Sequence, residues 1–87
     1  MRTLTWNKNK LLLKAADDGD VDDVRKLLDK GANVEAADKY FGYTPLHRAC
    51  YNGHVRVANM LLARGAKIDA TDKDERTPLH YAAMVGM

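Results

Sequence analysis

Two stretches decide the architecture: Tyr43–His54, which reads YTPLHRACYNGH, and residues 76–87, which read RTPLHYAAMVGM. Thr44-Pro45-Leu46-His47 returns as Thr77-Pro78-Leu79-His80, an offset of 33, and Gly53 returns as Gly86. Self-similarity at a period of this size marks a stack of small units, each too thin to bury its own apolar face. Upstream, GDVDDVRKLLDKGANVEAAD (Gly19–Asp38) matches GHVRVANMLLARGAKIDATD (Gly53–Asp72) at an offset of 34. The difference of one is an extra residue in DKYFGYT compared with DKDERT. The repetition divides the chain into a tail at 1–6, a first repeat at 7–37, a second at 38–71, and the start of a third at 72–87.

Each repeat reads as two short helices and an extended arm. Thr44 and Thr77 are N-cap residues, followed by Pro45 and Pro78 at the first helical position, where no amide donor is missed. Leu46, Ala49 and Cys50 share one helical face, matched by Leu79, Ala82 and Ala83 and, upstream, by Leu12, Ala15 and Ala16. Small residues there let neighbouring helices approach closely. Val21, Val24, Leu27 and Leu28, echoed by Val55, Ala58, Leu61 and Leu62, form the stripe of a second amphipathic helix. Lys30-Gly31 and Arg64-Gly65 end those helices, a cation near the negative pole and then a residue free to take positive φ. The pattern predicts five helices, at Asn7–Ala16, Val21–Lys30, Pro45–Asn52, Val55–Arg64 and Pro78–Val85. The fold class is all-α.

Composition narrows the setting. Apolar residues (46%) and charged residues (30%) stand in globular proportion, which argues against disorder. A formal net charge of +2, with both signs interspersed, gives no reason to expect nucleic acid or an anionic membrane as partner. The N-terminal stretch holds only a three-leucine run, too short for a signal peptide or a membrane span. Cys50 is the single cysteine and has no intrachain partner, which fits a reducing, intracellular location, cytoplasmic or nuclear.

The motif D-x(4–5)-T-P-L-H-x-A-x-x-x-G-H-x-x-x-A-x-x-L-L-x-x-G-A resembles the ankyrin repeat. NKNKLLLKAADDGDVDDVRKLLDKGANVEA (Asn7–Ala36) resembles its polar-faced N-terminal capping form. The resemblance runs from Asn7 to Met87 and implies a solenoid of antiparallel helix pairs with β-hairpin tips projecting at right angles. Two departures stand out: Glu75 occupies the usual place of the hairpin glycine, and the tip before Tyr43 carries its extra residue.

Chemistry is sparse. His47, Cys50 and His54 have a spacing that puts ligands on neighbouring helical turns, but both histidines occupy repeat positions and Cys50 takes the place of a core alanine. The resemblance gives His47 and His80 a structural role, bonding the hairpin backbone and the capping threonine. No metal, cofactor or catalytic site is expected. The acidic run Asp17, Asp18, Asp20, Asp22 and Asp23 reads as a solvated turn at a helix N-terminus rather than a docking site for a basic partner.

What remains is surface. The resemblance implies a non-catalytic adaptor or scaffold that takes a protein or peptide on its concave face. The contacts expected there come from the tips (Lys39, Tyr40, Phe41, Tyr43, Lys73, Asp74 and Arg76), the exposed side of the first helices (Tyr51, Asn52, Met84 and Val85), and Thr71 at the arm's end. Three of the six aromatic residues fall in the tip YFGY, a concentration that suits an interface hot spot. The other reading folds Tyr40 and Phe41 back to stiffen the stack. Arg48 and Tyr81 share a variable position read as semi-buried packing. The alternative function is self-assembly: Leu61, Leu62, Met60 and the inner face of residues 79–84 are expected to line an open end beside the incomplete repeat. Either Met87 is a boundary inside a longer array, or another copy covers that end, with Trp6 as a candidate contact. Adding a second helix and a polar cap after Met87 is expected to raise stability and suppress association.

Overall fold

The computed structural model describes residues 7–86; Trp6, the rest of the 1–6 tail and Met87 lie outside the described residues. Five helices follow one another: α1 (Lys8–Asp18), α2 (Val21–Asp29), α3 (Pro45–Tyr51), α4 (Val55–Ala63) and α5 (Pro78–Met84). The boundaries differ from those expected mostly by the caps. Asn7 is the N-cap of α1, and Lys30, Asn52, Arg64 and Val85 are C-caps rather than helical residues. Helix α1 runs two residues past Ala16, to the left-handed Gly19.

Packing forms two layers. Helices α1, α3 and α5 lie side by side in one, while α2 packs under α1, α4 under α3, and α2 against α4. The core follows the expected faces of α1 and α3 and, in part, those of α2 and α4, where Val57 is buried in place of the expected Val55. Leu12, Ala15, Ala16, Leu46, Ala49 and Cys50 meet in the first layer, and Val24, Ala58 and Leu61 close it from the second. Alanines at the helix crossings keep the spacing short, so dispersion contacts are dense although each side chain is small.

Burial is uneven between equivalent positions. Leu46 is 1% exposed, whereas its counterpart Leu79 is 64% exposed, because α3 is covered by α5 and no described element lies over α5's outer side. Leu62, Val55 and Ile68 are exposed as well. Leu61 is fully buried in the core, as its place on the amphipathic stripe implied; it does not line the stack's end, because its direction on α4 points under α3.

The arms form no strand among the described residues. Each tip is closed by two backbone bonds: Asp38 N–H to the Tyr43 carbonyl and Gly42 N–H to the Asp38 carbonyl, both at 3.0 Å, in the first, and Asp72 N–H to the Arg76 carbonyl and Glu75 N–H to the Asp72 carbonyl, both at 2.9 Å, in the second. One further bond joins the tips, Lys73 N–H to the Phe41 carbonyl at 2.9 Å. The hairpin character is therefore reduced to turns. An aspartate organises each turn: Asp38 accepts from the amides of Tyr40, Phe41 and Tyr43, and Asp72 from those of Asp74 and Arg76. The extra residue of the first tip is absorbed inside this loop.

Gly42 and Glu75 hold the same left-handed position just before the tip closes, with φ of 75° and 63°. Glycine adopts that geometry freely, and a side chain with Cβ does so at a cost. Gly19 meets a second constraint: a Cβ there would lie 2.7 Å from the ring of His54. His54 packs over the Gly19 turn and donates from Nε2 to the Asp17 carbonyl at 2.9 Å, so the motif's histidine acts as a joint to the preceding repeat, whose glycine makes room for it.

Two outcomes are expected. Glu75→Gly should raise stability by about 1 kcal/mol in thermal or chemical denaturation; a loss would show that the Glu75 side chain is held by a favourable contact. Leu46→Ala should cost about 2–5 kcal/mol and Leu79→Ala only about 0.5 kcal/mol, although the two share one motif letter.

Candidate functional site

The concave side is built where the first-layer helices meet the tips. Helix α3 begins with a closed capping arrangement. The Thr44 hydroxyl accepts from the His47 amide at 3.2 Å, and His47 Nδ1 accepts from the Thr44 amide at 3.1 Å. With Nδ1 an acceptor, the ring proton sits on Nε2, which donates to the Arg76 carbonyl of the next tip at 2.8 Å. His47 thus ties one repeat to the next, as the resemblance implied. His80 does not repeat the arrangement: Thr77 caps α5 through the His80 amide at 3.4 Å, but the His80 ring is exposed and bonds nothing among the described residues.

Beside His47, Tyr81 of α5 is only 3% exposed and donates its hydroxyl proton to the Asp72 carboxylate at 2.5 Å. Burial works against ionisation of Asp72. Hydrogen bonds from Tyr81 and from the Arg76 and Asp74 amides outweigh it and hold the carboxyl below its ordinary range. The same burial, reinforced by Asp72, pushes the Tyr81 phenol up to about 12. Tyr81 also meets Tyr43 edge-on at 6.0 Å and Tyr51 edge-on at 5.8 Å.

These groups bound a groove of about 400 Å³. Tyr43, Tyr51, Tyr81 and Met84 supply its apolar wall, with His47, Arg48, Arg76 and Asp17 as polar lining. Of the expected contact residues, Tyr43, Tyr51, Arg76 and Met84 come together here. Lys39, Tyr40 and Phe41 form the neighbouring tip, where Tyr40 is 77% and Phe41 57% exposed. Phe41 stacks on Tyr43 at 5.4 Å, so it is both supported and open. Tyr43 is half-buried, packed against His47, Tyr81 and the Arg48 guanidinium. Lys73 and Asp74 are exposed on the second tip, with Lys73 Nζ bonded to the Lys39 carbonyl. Asn52 donates to Asp17 at 2.7 Å. Thr71 and Val85 are exposed but do not line the groove.

The repeat reading passed over Arg48 and Tyr81 as packing. They do pack, yet their shared position points into the groove from α3 and α5. The signal was present, since two large polar side chains stand where the motif tolerates any residue. The three residues with ligand-like spacing do not converge on a metal. Both nitrogens of His47 are engaged, His54 bonds the Asp17 carbonyl, and Cys50 faces the core, where burial pushes its thiol up. The acidic run is used locally: Asp20 caps α2 through the Asp23 amide at 3.1 Å, and Asp18 pairs with Lys14 at 2.9 Å. No helix among the described residues is long and apolar enough to cross a membrane.

Five short helices in two layers, Thr-Pro caps, and a histidine bonding the following tip define a stacked helical-repeat fold. A family model described as ankyrin repeats, in three copies, matches residues 11–87. The chain belongs to the ankyrin repeat family. It is 46% identical over 65 residues to an ankyrin repeat-containing protein of Schizosaccharomyces pombe, covering 75% of this chain and 31% of that protein. It is 47% identical over 65 residues to ankyrin repeat domain-containing protein 49 of Bos taurus, covering 71% and 26%. It is 41% identical over 73 residues to the 2-5A-dependent ribonuclease of Mus musculus, covering 84% of this chain but 10% of the enzyme. The chain therefore spans between a tenth and a third of these relatives, and the ribonuclease activity belongs to that whole protein. Ankyrin repeats generally mediate protein–protein interaction and are typically non-catalytic.

The Asp72–Tyr81 bond makes a pH prediction. A carboxyl held below its ordinary value stabilises the fold above the unfolded value of about 3.9, and that contribution disappears as pH falls through the folded value. Tyr81→Phe removes the donor, so it should cost about 1–3 kcal/mol at neutral pH and shift the acid-side loss of stability to higher pH. Melting curves between about pH 2 and pH 7 would read both; parallel profiles for the two proteins would refute the role given to Asp72.

Proposed function

We propose that this chain is a protein-binding module that takes a peptide segment on its concave face, using the tip aromatics Tyr40 and Phe41 together with the groove between α3 and α5. The observation that carries the reading is the exposure of two large aromatics on a tip tied down by hydrogen bonds. Tyr40 and Phe41 are open to solvent while Asp38 holds their amides at 3.0 and 2.7 Å. Exposed aromatic surface contributes most to binding when little conformational freedom is left to lose. Tyr51, Met84 and Arg76 extend the same surface along the groove, and Lys39, Lys73, Asp74 and Asn52 form a polar rim, as interfaces commonly have. Self-association has mixed support: of the residues expected at the open face, Leu61 is interior while Leu62 and Leu79 are exposed, and among the described residues that face carries no ordered aromatic surface like the tip's.

The test is a random dodecapeptide display selection on the folded chain, followed by amide chemical-shift mapping of the enriched peptides. Shifts should cluster at Tyr40, Phe41, Tyr51 and Met84, and Phe41→Ala should weaken binding by about 1–3 kcal/mol with an unchanged melting temperature. Shifts confined to α2 and α4, around Arg25 and Asn59, or a failure to enrich any binder, would contradict it. So would a Phe41→Ala loss of stability as large as that of a core leucine.

A further inference from the structure

We infer that the groove prefers an acidic peptide, one that presents a carboxylate to Arg48 and Arg76 beside a large apolar side chain seated against Tyr51, Tyr81 and Met84. This rests on the concave-face reading above and adds the chemistry of the partner. The argument is an imbalance between donors and acceptors. The groove's charged lining is two guanidiniums and one carboxylate, Asp17, and that carboxylate already accepts from Asn52. The nearby Asp38 and Asp72 carboxylates are used up by the amides of their own tips, and Asp72 by Tyr81 as well.

The guanidiniums are less well served. Arg76 makes no ion pair within 4 Å among the described residues; its guanidinium lies beside the Tyr81 hydroxyl and is attracted more weakly by the Asp74 and Asp72 carboxylates. Arg48 reaches Asp17 and Asp38 only at 3.5 Å each, beyond the ~2.7–2.9 Å of a good charge-assisted bond. Its Nε is buried without a hydrogen-bond partner among the described residues, a state that native structures seldom leave unexplained. Its guanidinium rests 5.3 Å from the centre of the Tyr43 ring, which orients the fork without using its N–H groups. The buried Nε is out of a ligand's reach, but an incoming carboxylate would give the terminal N–H groups of Arg48 a closer acceptor than the two carboxylates at 3.5 Å, whereas a cationic ligand would meet two like charges.

The apolar half of the site is equally specific. Tyr51 and Met84 are exposed and line the groove with Tyr81, whose ring stands edge-on to Tyr51. A volume of about 400 Å³ accommodates one large side chain and adjoining backbone. Single-stranded nucleic acid stacks on open aromatic faces and would find them on Tyr40, Phe41 and Tyr51, although Tyr43 is covered by Phe41 and Arg48. It is the competing ligand that the test includes.

Fluorescence anisotropy on the folded chain tests this with four labelled probes. Three are decapeptides in a Gly-Ser frame with the cores Glu-Leu-Phe-Glu, Lys-Leu-Phe-Lys and Glu-Ser-Ser-Glu; the fourth is a tetra-adenylate RNA. The first peptide should bind, weaken with added salt, and lose affinity roughly tenfold in Arg76→Gln. Arg56→Gln, the same charge change on exposed α4, should leave binding unaltered. Arg48→Gln loosens Asp17 and Asp38 as well, so Arg76→Gln, checked for an unchanged melt, carries the test. The inference fails if the first peptide does not bind, if the lysine peptide or the RNA binds as tightly, or if Arg76→Gln has no effect. If peptides from the display selection map to the groove without any acidic preference, the concave-face reading stands and only this inference falls.

Discussion

The imidazole of His47 holds the arrangement together. One nitrogen accepts the Thr44 amide within its own repeat, which forces the proton onto the other, and that nitrogen donates to the Arg76 carbonyl across the repeat boundary. A single side chain therefore fixes the start of α3 and the position of the following tip. Everything on the concave side inherits that spacing. Tyr81 reaches Asp72 because the second tip is anchored there, and the groove exists because α3 and α5 are kept in register beneath the two tips. His54 plays a parallel part lower in the stack, closing over Gly19, where no side chain fits.

The consequence for function lies in preorganisation. Each tip is short and strandless, and an isolated turn of that kind would sample many conformations. Here Asp38 and Asp72 gather the tip amides, Lys73 bonds the Phe41 carbonyl, and Phe41 stacks on Tyr43. Aromatic side chains on such a platform lose little freedom on binding. The left-handed Glu75 fits the same picture: a strained residue is tolerated where the surrounding hydrogen bonds over-determine the backbone.

Much of this was legible in the residues. Thr-Pro pairs marked the starts of α3 and α5, and the spacing of Leu, Ala and Val assigned the core faces of α1 and α3; on α4 it placed Ala58 and Leu61 but took Val55 for the buried Val57. The misjudged features share one cause, which is that a repeat letter does not state what lies over it. Leu46 and Leu79 are the same letter with opposite burial, and His47 and His80 the same letter with and without a partner. Leu61 was assigned to an open face that its helical direction does not reach. The groove was half-seen for a similar reason: Tyr51, Met84 and Arg76 were expected at the surface, but their convergence around Tyr81 and Arg48 depends on the angle between repeats, which no single repeat encodes.

The central claim is that cross-repeat hydrogen bonds make the tips as rigid as the helices beneath them in the unbound chain. Backbone ¹⁵N relaxation measures this directly. The account predicts order parameters for Tyr40, Phe41 and Lys73 near the ~0.85 of rigid backbone, close to those of α3. Values below about 0.6, typical of flexible loops, would contradict it.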